Sequence, residues 1–306
     1  MRSIYTGLLI VFGLGLIAPA TNATEVFRLS TVLTQNGYDA AKLFRTGDNH
    51  LFIFGKLNGR RRSFLVDTGW SFTTAGTNAA RHLAAKTDAT VFGDFVLGNL
   101  TFTNQSVKLQ DVRFNGQPAP FDVVLGLDFF RHHYAILDCA GQRLYLRRNK
   151  PTNEQEKNLE IALRRAGFHA LELRLKAPPA ITALALLNGQ PVEMLVDSGA
   201  AWSCIDGRQC ERLGLKPLPS MTRISGAGKT GIRSVAVAQT KTFQLGDVTV
   251  KNANFALFDL ADLGFAAPGK TLSEVQGILG GEMLATSSAV IDCHALKLWP
   301  KTSRAK

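Results

Sequence analysis

Residues 64–69 read Phe-Leu-Val-Asp-Thr-Gly, and residues 194–199 read Met-Leu-Val-Asp-Ser-Gly. In each, apolar residues suited to a buried strand run directly into an aspartate, a small hydroxyl residue and a glycine. A carboxylate delivered by a buried strand to the edge of a core is costly unless something stabilises it. Gly69 and Gly199 permit the tight turn that brings main-chain amides to that carboxylate, and Thr68 and Ser198 can bond locally to pin it. For one copy alone, the ordinary reading is an aspartate capping a turn after a strand. Two copies in a repeated frame reverse that preference.

The frame is visible in the spacing. Asp67 and Asp197 lie 130 positions apart, as do Leu57-Asn58-Gly59 and Leu187-Asn188-Gly189, Gly37 and Gly167, and Leu83 and Leu213. Further on, FVLGN at 95–99 matches FQLGD at 243–247 with an offset of 148, so the second half carries 18 additional residues between Leu213 and Phe243. VVLGLDFF at 123–130 then matches GILGGEML at 277–284, and ILDC at 136–139 matches VIDC at 290–293, both offset by 154. Two copies make a protein of paired lobes, not a solenoid.

An Asp-Thr/Ser-Gly after an apolar strand, followed much later by an apolar-apolar-Gly segment opening a helix, resembles the aspartic proteases, specifically a retropepsin-like lobe occurring twice. Leu125-Gly126 and Leu279-Gly280 stand in the second motif. The resemblance implies a mostly β fold of two homologous acid-protease barrel lobes with short helices and an active-site cleft between them. It further implies that each lobe supplies one aspartate to a shared site, within one chain as in pepsin-like members. Trp70 departs from the pattern, because the family usually has Ala or Ser there; Ala200 fits it.

Length and composition are compatible with this. Met1–Ala20 has Arg2, an apolar run from Leu8 to Ile17 and then Ala18-Pro19-Ala20, the form of a secretory signal cleaved after Ala20, with Ala23 a second possible site. The run is short for a spanning helix, and no other stretch suits a membrane span. About 280 residues then remain, enough for two lobes of ordinary size. The reading is a signal peptide at 1–20, an N-terminal lobe at 24–150 without an evident flap, and a C-terminal lobe at 151–306 with a Gly-rich one, exported to the periplasm or secreted as a monomer.

Export makes disulfides permissible, and Cys204 and Cys210 are spaced to staple a small loop. Cys139 and Cys293 occupy equivalent places in the two lobes, either as buried thiols or as a pair meeting across the lobe interface. No Cys/His spacing suggests zinc. The formal charge is +11, but its dense runs (60–62, 147–150 and 301–306) sit at turns and chain ends without interleaved aromatics. That pattern disfavours a nucleic-acid partner.

Within the lobes, Leu51–Lys56 and Arg62–Val66 read as a hairpin feeding Asp67 into the core, and Phe95–Val107 as another. Short helices are expected at 77–85, 128–133 and 207–213. The polar stretch 148–158 reads as the lobe boundary, with an amphipathic helix from Glu156 to Arg165 after it. The additional residues of the second half contain Ile224-Ser225-Gly226-Ala227-Gly228, followed by Lys229-Thr230-Gly231. The end of this stretch matches a phosphate-binding loop, but that motif needs glycine at 223, where Arg stands. A hairpin tip whose glycines let backbone approach a ligand is the better account, and the resemblance makes it the flap.

Two carboxylates at short range disfavour double ionisation, so the pair holds one proton and titrates as a unit. The ionised member can take a proton from water while the other polarises a carbonyl. Asp67 and Asp197 are assigned to this dyad, acting on a peptide or protein substrate with no metal or cofactor. As the resemblance implies, Thr68 and Ser198 lock the two loops together, each hydroxyl reaching the partner loop. The competing reading, from a different class, is a catalytically weak exported protein that binds peptides or envelope components in the same cleft. Asp128 and Glu282 are read as helix-start acids, Asp138 and Asp292 as turn residues, and His132 and His133 as residues at the surface of the helix after Gly126 rather than in catalysis.

Overall fold

The computed structural model describes residues 28–301 apart from 77–78, 80–82, 84–88, 115–116, 220–222, 225–232 and 264–271. In lobe one, the apolar alternation of Leu51–Leu57 and the turn at Asn58-Gly59 give a hairpin with Arg60–Val66, register Ile53↔Phe64. Arg60–Val66 then runs parallel to the short strand Val123–Leu125. The sheet continues through Thr74–Ala75, Leu100–Leu109 and Thr90–Leu97, and the last pairs back onto Leu51–Leu57, closing a barrel. Phe64, Phe95 and Phe129 meet inside it, with ring centroids 5.5 and 5.8 Å apart in sequence.

Lobe two repeats the plan. Ala180–Leu187 and Gln190–Val196 form the hairpin, and Gln190–Val196 lies parallel to Gly277–Leu279. The repetition extends to backbone positions that side-chain-bearing residues seldom adopt. Left-handed φ values recur at Asn58 and Asn188 (47° and 50°), Asn104 and Asn252 (56° and 53°), Tyr134 and Ser288 (50° and 47°), and Gln142 and Leu296 (53° and 55°). Their spacings are the 130, 148 and 154 of the sequence motifs.

A six-stranded sheet joins the lobes, in the order Asp39–Lys42, Arg143–Leu146, Ile136–Asp138, Val290–Asp292, Lys297–Trp299 and Leu171–Glu172. Its centre is the antiparallel pair Ile136–Asp138 with Val290–Asp292, register Leu137↔Ile291. One face packs on the shared core. The other is covered by helices Leu29–Gln35 and Asn153–Arg165 through Leu33, Tyr38, Tyr145, Leu163 and Trp299. The second helix begins at Asn153, three residues before the expected Glu156, because Thr152 and Gln155 form a capping box. The polar stretch after Pro151 is therefore the solvent face of a helix rather than part of a linker. The expected helix at 77–85 falls mostly outside the described residues, as does the leader. The stretch 207–213 is one 3-10 turn, Gly207–Gln209, followed by turns.

The expected Cys204–Cys210 disulfide is not formed, and all four cysteines are free thiols. Cys204 packs into a cluster with Leu195 and Ile278, whereas Cys210 packs against the main core, so the two sulfurs belong to different apolar clusters. Cys139 and Cys293 are both buried and do not meet. Cys139 N donates to Ala289 O and Cys293 N to Ala135 O, which places them at opposite ends of the central strand pair. Among the described residues, no helix is long and apolar enough to cross a membrane.

Candidate active site

Each aspartate extends its strand by one residue. Asp67 N donates to Leu125 O at 3.1 Å and Asp197 N to Leu279 O at 3.0 Å, so the Asp-Thr/Ser-Gly and apolar-Gly motifs of each lobe are neighbours in one sheet. The turn then brings two amides to one carboxylate oxygen. Gly69 N and Trp70 N donate to Asp67 Oδ1 at 2.9 and 3.0 Å; Gly199 N and Ala200 N donate to Asp197 Oδ1 at 2.8 and 3.0 Å. These bonds fix each carboxylate plane and leave Oδ2 directed away from its own turn.

The loops are tied to each other. Thr68 Oγ1 donates to Val196 O at 2.8 Å and accepts from Ser198 N at 3.0 Å. Ser198 Oγ donates to Val66 O at 2.8 Å and accepts from Thr68 N at 3.1 Å. All four groups are buried, so each bond is one that solvent cannot replace. The carboxylates also meet the opposite glycines. A Cβ on Gly69 would lie 2.3 Å from the Asp197 carboxyl carbon, and one on Gly199 would lie 2.2 Å from that of Asp67. Only glycine leaves room there for the partner's carboxylate.

The second motif closes against the same loops. A Cβ on Gly126 would sit 2.6 Å from the Phe72 carbonyl carbon, and one on Gly280 would sit 2.5 Å from that of Trp202. Thr73 Oγ1 accepts from Gly126 N, and Ser203 Oγ accepts from Gly280 N. Asp128 Oδ1 in turn accepts from Thr73 N at 2.7 Å and Glu282 Oε1 from Ser203 N at 2.7 Å. The two acids read as helix-start residues thus also hold the far end of the aspartate loops. Asp138 accepts from Gly141 N, and Asp292 from His294 N and Ala295 N, as turn acids.

Burial raises Asp67 well above the usual carboxylate range, and the Asp197 charge and the hydrogen bond with it push in the same direction, against the amides of Trp70 and Gly69. Burial also raises Asp197, offset by the hydrogen bond with Asp67, by the Gly199 and Ala200 amides and by His50. Both carboxyls are thus pushed the same way, which favours one proton held between the pair.

His50 had no signal in the sequence, since its counterpart 130 positions on is Ala180. It lies on the connection from Phe44–Arg45 to Leu51–Leu57, which crosses to the other lobe. Arg45 donates to Asn49 O at 3.0 Å, to Gly281 O at 3.4 Å and, through Nη2, to Cys139 O. His50 itself pairs with Asp48 at 3.0 Å. Of the expected flap, Ile224 pairs with Arg233 in a hairpin, Arg223–Ile224 with Arg233–Ser234; Ser225, Gly226, Ala227 and Gly228 lie outside the described residues. Among the described residues, no group of three or more His, Cys, Asp or Glu is placed to hold a metal.

Residues 183–283 match the family model described as aspartyl protease. No curated protein matches the chain. Among solved structures, a retropepsin-like aspartic protease from Rickettsia conorii is 16% identical, with 44% of this chain and 91% of that one covered at a TM-score of 0.31. An aspartic proteinase from Irpex lacteus is 13% identical, with 87% of this chain and 98% of that one covered at a TM-score of 0.46. The aspartyl protease match thus lies in the second lobe, and the Asp-Thr/Ser-Gly and apolar-Gly motifs within it recur in the first.

Proposed function

We propose that the protein is an aspartic endopeptidase in which Asp67 and Asp197 activate one water between them. The observation that carries this reading is the crossed packing at the lobe junction, where each carboxylate lies against the other lobe's glycine while one of its own oxygens is held by two amides. The ionised member of the pair takes a proton from the water as the water oxygen adds to the scissile carbonyl; the protonated member gives its proton to the carbonyl oxygen, leaving a neutral tetrahedral diol. Collapse moves a proton to the departing nitrogen and restores the shared proton of the pair. An extended peptide would add its backbone to the hairpin at Arg223–Ile224 as to a sheet edge. The same proposal includes a leader at 1–20, export, an N-terminal lobe at 24–150 and a C-terminal lobe at 151–306 that arose by duplication, and action as a monomer.

Cleavage of a diverse peptide mixture from acid to neutral pH, beside Asp67→Asn and Asp197→Asn, tests it. Expected are a bell-shaped dependence on pH and loss of cleavage in either variant with the fold retained. A folded protein that retains peptides yet cuts none at any pH would replace this reading with a binding role.

A further inference from the structure

We propose that Trp70 makes the two halves of the cleft unequal, so that the substrate residue facing lobe one must be small. The inference rests on the dyad reading and adds the substrate class to it. In an extended strand, alternate residues share a face, so Leu65 lies on the side of Asp67, and Leu195 on the side of Asp197. Val124 pairs beside Leu65 and Ile278 beside Leu195 on the neighbouring strands. Each lobe thus has a small apolar floor on its carboxylate side, separate from the main core.

What stands on these floors differs. The amides of residues 70 and 200 both bond an aspartate oxygen, so both side chains start beside the dyad. In lobe one that side chain is an indole packed against the Leu65 and Val124 floor. Its Nε1 donates to Thr74 Oγ1 at 3.0 Å, and Thr74 Oγ1 donates to Phe72 O at 2.8 Å, which locks the ring to its own loop. An indole covers on the order of 150–250 Å2, the scale of a substrate Leu or Phe. In lobe two the side chain is the methyl of Ala200. That methyl and Leu272 pack against the cluster of Leu195 and Ile278, to which Val235 also belongs, and among the described residues no indole stands there.

A peptide lying extended across the dyad sends successive side chains to opposite sides. The two residues flanking the cut therefore address one floor each, and the lobe-one floor is already occupied by the protein's own side chain.

The test is the sequence preference at the two positions flanking the cut, measured on a peptide mixture for the wild type, Trp70→Ala and Trp70→Val, with thermal melts to identify the folded variants. The expected result is a wild type restricted to Gly, Ala or Ser at one flanking position. Either folded variant should gain at least about tenfold in relative cleavage of peptides with Leu or Phe there, with the other position unchanged. Cleavage by a variant where the wild type cuts nothing also supports the inference. A wild type that accepts bulky residues on both sides, or variants with unaltered preference, overturns it while leaving the dyad reading intact. If neither wild type nor folded variants cut any peptide, the dyad reading fails and this inference fails with it.

Discussion

At Gly69 and Gly199 the space that a methyl would need is filled by the other lobe's carboxylate, at 2.3 and 2.2 Å. Gly69→Ala should therefore displace Asp197 and lower kcat/KM by about a hundredfold or more, since a misplacement near 1 Å costs that much in a positioned site; peptide cleavage with a parallel melt measures it. Thr68 offers a second check, because its hydroxyl is bonded twice across the lobes. Thr68→Val keeps the shape and leaves Val196 O and Ser198 N unpaired, so it should cost about 1–3 kcal/mol in urea unfolding, while Thr68→Ser should cost far less. The aspartates, hydroxyls and glycines were legible because each motif is local and occurs twice. The tasks of Asp128 and Glu282 were not, because their partners Thr73 and Ser203 lie 55 and 79 residues away. His50 bears on Asp197 only electrostatically, from the other lobe, and nothing in its sequence neighbours hints at that.

Single elements carry the pH response of the fold. His133, expected at the helix surface, instead caps the helix Leu127–His132 in the interior, buried between Phe102 and Phe129 with ring centroids 4.3 and 4.4 Å away and with Nε2 2.6 Å from Gln105 Oε1, because the rings of lobe one close over it. Burial, and secondarily His132, pushes its pKa down to about 4. The folded chain thus prefers neutral His133. Its stabilisation is complete above the unfolded pKa near 6.5 and is lost as pH falls toward 4, by about 3 kcal/mol at most. Asp292, in the central sheet, is pushed up to about 6 by burial. It works in the opposite direction, favouring the fold as pH drops from 6 toward 4 and the carboxyl takes up a proton. Replacing the histidine should expose the balance. His133→Phe is expected to melt higher relative to wild type at pH 4.5 than at pH 7, and an equal difference at both values would count against it. At this scale the hairpins of lobe one, Leu51–Leu57 with Arg60–Val66 and Thr90–Leu97 with Leu100–Leu109, were legible from alternation and turn residues. The start of the helix at Asn153 was also written in the sequence, as Thr152 and Gln155, but its polar exposed face resembles a linker.

At the scale of the whole molecule, the sheet that joins the lobes decides what folds with what. Its central pair, Leu137 with Ile291, comes from segments 154 residues apart, and its back is covered by one helix from each lobe. Neither lobe keeps a complete sheet alone. Chains ending at Lys150 or beginning at Pro151 are therefore expected to show poor amide dispersion by NMR separately and to recover it on mixing, whereas a well-dispersed isolated half would contradict this. The offsets in the sequence revealed the two lobes but not this sheet, whose strands of two to four residues are too short to announce their partners. Because both lobes sit in one chain, Trp70 and Ala200 can occupy matched places and differ. A symmetric pair of identical chains has no such freedom, since a codon changed once is displayed twice. Here each side of the cleft is inherited by its own codons, so one point mutation can alter what one half accepts and leave the other half untouched.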